Sequence, residues 1–401
     1  MEVLVLNSGS SSIKYRLFDA DLAVVASGLI ERIGEPNGRA IHRRYDGGQR
    51  RETVEEGRVP DHAAGFRSLV AALDAAGLGD DLGAIGHRVV HGGSEFVAPT
   101  RIDEQVIERI RAQIPLAPLH NPANLTGIEV ATQLRPDLPQ VAVFDTAFHG
   151  TLPPHAYHYA VPEEVHREHG VRRYGFHGTS HAFVARRAAA HLGRPAEELD
   201  IVTLHLGNGA SAAAVKGGRS VDTSMGLSPL EGLVMGTRSG DLDPAVVFHL
   251  VRQGGMTLDE VDTLLNKRSG LLGLCGDNDL REIERRAGEG DEAAALALDV
   301  YAYRIRKYLG AYTAALGGLD AVVFTAGVGE NQPSIRERVC GGLGLFGIVL
   351  DDARNRAADT GASDDGVVPV QADDSRVAVL VIATDEEHEI AEQTRLALAA
   401  V

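Results

Sequence analysis

Cysteine is almost missing: two residues in 401, Cys275 and Cys340, with no C-x-x-C. That excludes a disulfide scaffold and a paired-thiol redox centre, and it predicts a reducing compartment, the cytoplasm. No apolar run reaches the about 18 residues that cross a bilayer, and no basic-then-apolar segment opens the chain; neither a membrane partner nor a signal peptide is expected. Positive charge is in deficit, 39 Lys and Arg against 56 Asp and Glu, for a net charge of −17. Nucleic acid and anionic membranes are therefore poor partners, and any anionic substrate must be met by locally gathered Arg and Lys. The G-x-x-x-x-G-K-[ST] motif is absent, which excludes a P-loop protein, and a nicotinamide enzyme is disfavoured.

What is present is an α/β chain of two or three domains, 44% hydrophobic, in which strand patterns alternate with helical ones. Two segments look like one device built twice. Val3 to Leu6 runs into Asn7-Ser8-Gly9-Ser10-Ser11-Ser12-Ile13-Lys14, and Ile201 to Leu206 runs into Gly207-Asn208-Gly209-Ala210-Ser211. A third turn, Thr325-Ala326-Gly327-Val328-Gly329-Glu330-Asn331, follows the strand pattern Asp320 to Phe324. Such turns offer backbone N–H groups and hydroxyls with little bulk, which suits a phosphate. Three of them suggest a nucleotide held between two similar halves.

Helical stripes are expected over His62 to Ala76, Asp103 to Ile114, Asp291 to Leu316 and Glu386 to Ala400, and a helix capped by Ser180 should run to Leu192. Residues 32–60 carry weak β alternation at best. Gly150 to His158, with Pro153-Pro154, is the candidate hinge.

Several residues suit phosphate chemistry. Asn7 can reach a metal or its water shell, and Lys14 supplies a point charge. Arg88 and Arg238 stand in Gly-flanked or polar loops where no apolar pattern explains them, and Arg grips carboxylate and phosphate in a two-point fork. Asp145 and Glu386 follow strand patterns, where carboxylates suit Mg²⁺; Glu386 equally suits a helix N-terminus. His177 can donate to a phosphoryl oxygen. The pairs His87/His91 and His177/His181 lack the H-E-x-x-H pattern of a zinc site.

Together Asn7 to Lys14, His87 to Gly93, Phe144 to His149, Arg173 to His181, His205 to Ser211, Asp222 to Asp243 and Gly327 to Asn331 resemble the acetokinase family, of the acetate and sugar kinase/Hsp70/actin superfamily, nearly end to end. The resemblance implies two duplicated actin-like (ribonuclease H-like) domains around a nucleotide cleft. Residues 1–149 with the closing helix 384–401 would form the acyl-substrate side, and 150–383 the nucleotide-binding domain. It implies a homodimer that transfers phosphate reversibly and directly from ATP to acetate, with Mg²⁺, or Mn²⁺ as a substitute. Asn7 and Glu386 would be metal residues. Lys14, His205, Leu206, Gly207, Asn208, Gly209, Asp279, Leu280, Arg281 and 327–331 (Gly327, Val328, Gly329, Glu330, Asn331) would contact ATP, with Asp279 to Arg281 following a loop from Gly270 to Gly276. Arg88 would anchor acetate against Val90, Leu119, Phe176 and Pro229. His177 and Arg238 would stabilise the transition state, and Asp145 resembles the residue often assigned proton transfer; since acetate is already ionised at neutral pH, Asp145 is expected to act mainly through the metal's waters. Two positions depart from the family: Ser228 stands for Thr and Asp385 for Asn. The rivals are a propionate, butyrate or sugar kinase, and an actin-like ATPase switch, which would not need the Arg88, His177 and Arg238 set.

Overall fold

The computed structural model describes residues 1–46, 49–79 and 81–399; Ala400, where the sequence reading ends the closing helix, lies outside them. Contacts divide the chain into two compact units, Met1–Gly150 with Asp385–Val401, and Thr151–Thr384.

The first unit is built on one sheet of eight strands: β1 (Glu2–Gly9), β2 (Ser12–Phe18), β3 (Val24–Glu31), β4 (Arg39–Asp46), β5 (Gln49–Glu56), β6 (Leu82–Val89), β7 (Thr100–Arg101) and β8 (Gln140–Phe144). Their order is β5-β4-β3-β2-β1-β6-β8-β7. β1 is antiparallel to β2 and parallel to β6, and β6 is parallel to β8. β1 reads as an unbroken apolar run because both its faces are covered. Leu4 and Leu6 join Phe66, Leu69 and Ala131, from the helices His62–Ala75 and Asn121–Leu134. Val3 and Val5 join Phe18, Val141, Val143 and Ile390, from the helix Glu386–Ala399.

Side chains alternate along a strand, so this division places the polar residues that follow. Asn7 continues the row of Val3 and Val5, Asp145 that of Val141 and Val143, and Lys14 and Arg16 that of Phe18. Arg88 continues the row of Gly86, whose missing Cβ would touch Thr394 and Ile390 of the closing helix. All five belong to the face that carries Glu386.

The second unit repeats the plan with β9 (Asp200–Leu206), β10 (Ala210–Lys216), β11 (Arg219–Thr223), β12 (Ala321–Thr325), β13 (Val367–Pro369) and β14 (Ala378–Ile382), in the order β11-β10-β9-β12-β14-β13. β9 is antiparallel to β10 and parallel to β12, which is parallel to β14. The series β3-β2-β1-β6-β8 and β11-β10-β9-β12-β14 are the same: a three-strand meander, then two parallel crossovers. The doubled, actin-like α/β fold expected from the two glycine turns is thus present.

Four local expectations need correction. Residues 39–56 form two full strands, β4 and β5, although β5 is exposed at every position; cross-strand charge pairs such as Arg43–Glu52 at 2.7 Å replace an apolar pattern there. The helix expected to be capped by Ser180 begins two residues earlier, at Gly178, after His177 in the left-handed region (φ 57°); Ser180 Oγ instead bonds Thr384 and His205. The supposed loop at 270–276 is a short helix, Gly270–Cys275, and the third glycine turn is the helix Ala326–Asn331. One G-x-G-x-x-G spacing, Gly342 to Gly347, follows the helix Pro333–Cys340 rather than a strand, and so lacks the context of a dinucleotide turn.

Candidate functional site

In the first unit the strand ends β6 and β8 bring Arg88 and Asp145 together. Nε and Nη2 of Arg88 donate to the two carboxylate oxygens at 3.0 and 2.7 Å. Nη1 has no protein partner among the described residues. Asp145 is buried; burial pushes its carboxyl up, and Arg88 opposes that shift, while Asp145 holds the guanidinium more firmly protonated. Glu386 acts electrostatically on both, and His120 on Asp145.

Three acids stand in a row after β14, and their partners separate them. Asp385 is held by Arg16 at 2.9 Å and caps the closing helix through the N–H of His388. Glu387 pairs with Lys14 at 2.5 Å; burial opposes its charge, but Lys14 and Arg16 hold its carboxyl below the ordinary range. Glu386, half-buried, has no ion pair or side-chain hydrogen bond among the described residues. The amide of Asn7, also half-buried, likewise has none. Among the described residues no cluster of three or more His, Cys, Asp or Glu could hold a metal. A donor set of one amide and one carboxylate, all oxygen, suits an ion that keeps most of its water and is shared with phosphate.

Sequence reading missed the frame of this half. Asn124 accepts from the N–H of Val90 (3.0 Å) and donates to the carbonyl of Ser8 (2.8 Å). Asn121 makes the same two-way bond with the backbone of His91. Both are buried on the helix Asn121–Leu134, and they tie the Asn7 turn to the end of the Arg88 strand. The signal was Asn121-Pro122, with Pro in the first helical turn. Of the proposed acyl walls here, Val90 is half-buried and Leu119 is 67% exposed.

In the second unit His177 and Arg238 converge on Gly209. A Cβ at Gly209 would lie 2.6 Å from Nη2 of Arg238 and 3.5 Å from Nε2 of His177. Glycine is required there because the two side chains occupy the space. His177 Nδ1 bonds Ser211 Oγ at 2.9 Å, and its ring stacks on His205 at 4.1 Å. Arg238 donates to the carbonyl of Pro229 at 2.6 Å. No carboxylate among the described residues pairs with it, and burial depresses the pKa of its guanidinium. A half-buried cation with no counter-charge is a site for an anion.

An open pocket of about 620 Å³ adjoins this turn and gathers all three expected nucleotide segments: Gly207 and Asn208, Asp279 to Arg281, and Gly327, Val328 and Asn331. Not every expected contact lines it. His205, Leu206 and Gly329 are buried beside it, Glu330 is turned to the N–H of Thr384, and Phe176 is buried. Lys14 belongs to the other unit, where it pairs with Glu387.

A doubled actin-like α/β fold, with a glycine-floored pocket beside a guanidinium and an imidazole that converge, defines a nucleotide-dependent phosphotransferase. The acetokinase family model matches residues 2–392. An acetate kinase of Streptomyces avermitilis is 60% identical over 98% of this chain and 96% of its own. The crystal structure of Porphyromonas gingivalis acetate kinase superposes with a TM-score of 0.92 at 44% identity, covering 99% of both chains. A propionate kinase from Francisella tularensis gives 0.91 at 40%, over 98% of this chain and 99% of its own. The chain belongs to the acetokinase family. It is an enzyme, a kinase that transfers phosphate from ATP to acetate.

Proposed function

We propose that acetate, held by the free edge of Arg88, attacks the terminal phosphorus of ATP in line, while Arg238 and His177 neutralise the oxygens in flight. The observation that carries this reading is the meeting of Arg238 and His177 over Gly209, beside the pocket that holds the glycine segments. Phosphoryl transfer needs position and charge more than covalent help. Each such donor is worth about 3–4 kcal/mol, by analogy with oxyanion donors. The carboxyl pKa of about 4–5 leaves acetate ionised at neutral pH, so no general base is required. Asp145 then acts by fixing Arg88 rather than by taking a proton.

Asn7 and Glu386 would hold Mg²⁺, or Mn²⁺ in its place; the ion would neutralise phosphate oxygens. The acyl substrate belongs to the domain 1–149 with the closing helix 384–401, and ATP to 150–383, with Lys14 reaching its phosphates. Val90, Leu119, Phe176 and Pro229 form the small acyl walls. One methylene changes binding by about 1–3 kcal/mol, so propionate is a poorer substrate rather than an excluded one. The buried free thiols of Cys275 and Cys340 favour the cytoplasm; no helix among the described residues is long and apolar enough to cross a membrane. A homodimer is favoured by the helix Ala245–Arg252, which has no buried residue and leaves Phe248 55% exposed.

The assignment is tested by Mg²⁺ titration of activity. Glu386→Gln is expected to raise the half-saturating Mg²⁺ about tenfold or more, and Asp385→Asn to change it far less. Equal shifts in the two variants would refute the choice of Glu386.

A further inference from the structure

The first unit holds a second cavity, of about 460 Å³, lined by Lys14, Arg16, Ser27, Arg43, Tyr45 and Arg50 among others and by no carboxylate. The strand register builds it: Arg16 stands opposite Ser27, Ser27 opposite Arg43, and Tyr45 opposite Arg50. Four cations thus share one concave face of a chain whose net charge is −17. Their partners are three carboxylates outside the lining. Glu52 takes Arg43 at 2.7 Å and Arg50 at 2.9 Å. Asp385 takes Arg16 at 2.9 Å, and Glu387 takes Lys14 at 2.5 Å and Arg16 at 4.0 Å. Ser27 and Tyr45 bond one another through their hydroxyls at 3.1 Å.

We propose that this cavity binds a small polyvalent phosphate, and that its occupancy resets the segment Asp385 to Glu387. The volume falls in the range of small-molecule sites. Three guanidinium forks, those of Arg16, Arg43 and Arg50, match phosphate oxygens, and two hydroxyls can turn outward to the same anion. Partly exposed ion pairs such as those with Glu52 and Asp385 are weak and exchange readily, and a ligand of higher charge outcompetes single carboxylates. Arg16 is the link. When it turns to the phosphate, Asp385 loses its counter-charge and Glu387 one of its two, and negative potential rises around Glu386 between them. Reciprocity then requires that the bound phosphate alter cation binding at Glu386. Binding itself is independent of the function assigned to Glu386; the coupling rests on that assignment.

Inorganic pyrophosphate is the probe, titrated calorimetrically into the full-length enzyme saturated with nucleotide, at fixed free Mg²⁺ and ionic strength. Binding that persists under nucleotide saturation, and weakens about tenfold or more in Arg43→Gln/Arg50→Gln, is expected. Loss of all binding when nucleotide saturates, or equal affinity in the double variant, overturns the site. Should the double variant fail to fold, Arg50→Gln alone, at a side chain 58% exposed, is expected to weaken binding severalfold; unchanged affinity there overturns it as well. The coupling appears as a shift of about twofold or more in half-saturating Mg²⁺ that the double variant lacks. No shift, with pyrophosphate bound, refutes the coupling alone, and an unchanged Mg²⁺ requirement in Glu386→Gln refutes the metal assignment instead.

Discussion

Arg88 and Asp145 meet fork to fork, with Nε to Oδ1 at 3.0 Å and Nη2 to Oδ2 at 2.7 Å. The buried carboxylate thereby aims the guanidinium and leaves Nη1 and the second N–H of Nη2 for another anion. Asp145→Asn keeps the size and removes the charge. Stranding one member of a buried pair costs about 3–5 kcal/mol, so thermal denaturation should show a clear loss of stability. Acetate KM should rise about tenfold or more, and the Mg²⁺ requirement should rise too, because Glu386 is coupled to the pair. An unchanged KM with a fall in kcat alone would contradict the positioning role.

Arg238 gives the opposite balance of stability and rate. Its charge is half-buried without a carboxylate, and burial disfavours it. Arg238→Ala should lower kcat about 10²–10³-fold, the range of a lost transition-state donor, while the melting temperature holds or rises. Guanidinium salt in the assay should restore part of the rate. A stability loss matching the activity loss would mark Arg238 as structural.

Gly209→Ala tests the convergence itself. The added methyl would stand 2.6 Å from Nη2 of Arg238, so the guanidinium must move. A displacement of about 1 Å at a reacting centre costs about 10²-fold in rate. Circular dichroism should show an intact fold; full activity would mean that Arg238 does not need its observed place.

His87 predicts an acid limit. Burial lowers its pKa from 6.5 to about 4, partly opposed by its bond to Gln140 at 2.7 Å. The folded chain therefore binds this proton less well than the unfolded chain. The stability that His87 contributes is complete above about pH 6.5 and is lost as pH falls towards about 4, to the extent of about 3 kcal/mol. Urea midpoints across that range should slope accordingly, and His87→Gln should flatten the slope even if the variant is less stable throughout. An equal slope in both proteins would assign the acid sensitivity elsewhere.

Much of the site was legible because phosphate chemistry leaves local marks. Gly207-Asn208-Gly209 and the polar residues at strand ends announce themselves in sequence, whereas the common face of Asn7 and Asp145 comes from the observed pairing of β1, β6 and β8. The rest was not legible for physical reasons. β5 is exposed on both faces, so no apolar period marks it. The Ser180 hydroxyl looks like a cap but serves His205 and Thr384, a choice made by tertiary contacts. Asn121 and Asn124 work through backbone groups of Ser8, Val90 and His91, which sequence spacing does not join. The row Asp385-Glu386-Glu387 offers three equal acids on paper; only the partners Arg16 and Lys14 single out the middle one.

The central claim, direct transfer of phosphate from ATP to acetate, is tested most directly by running the reaction with hydroxylamine present and measuring ADP and hydroxamate together. Equal amounts of ADP and acetyl hydroxamate are expected, both dependent on acetate and both formed about 10²–10³-fold more slowly in Arg238→Ala. ADP released without acetate, or without hydroxamate, would contradict it.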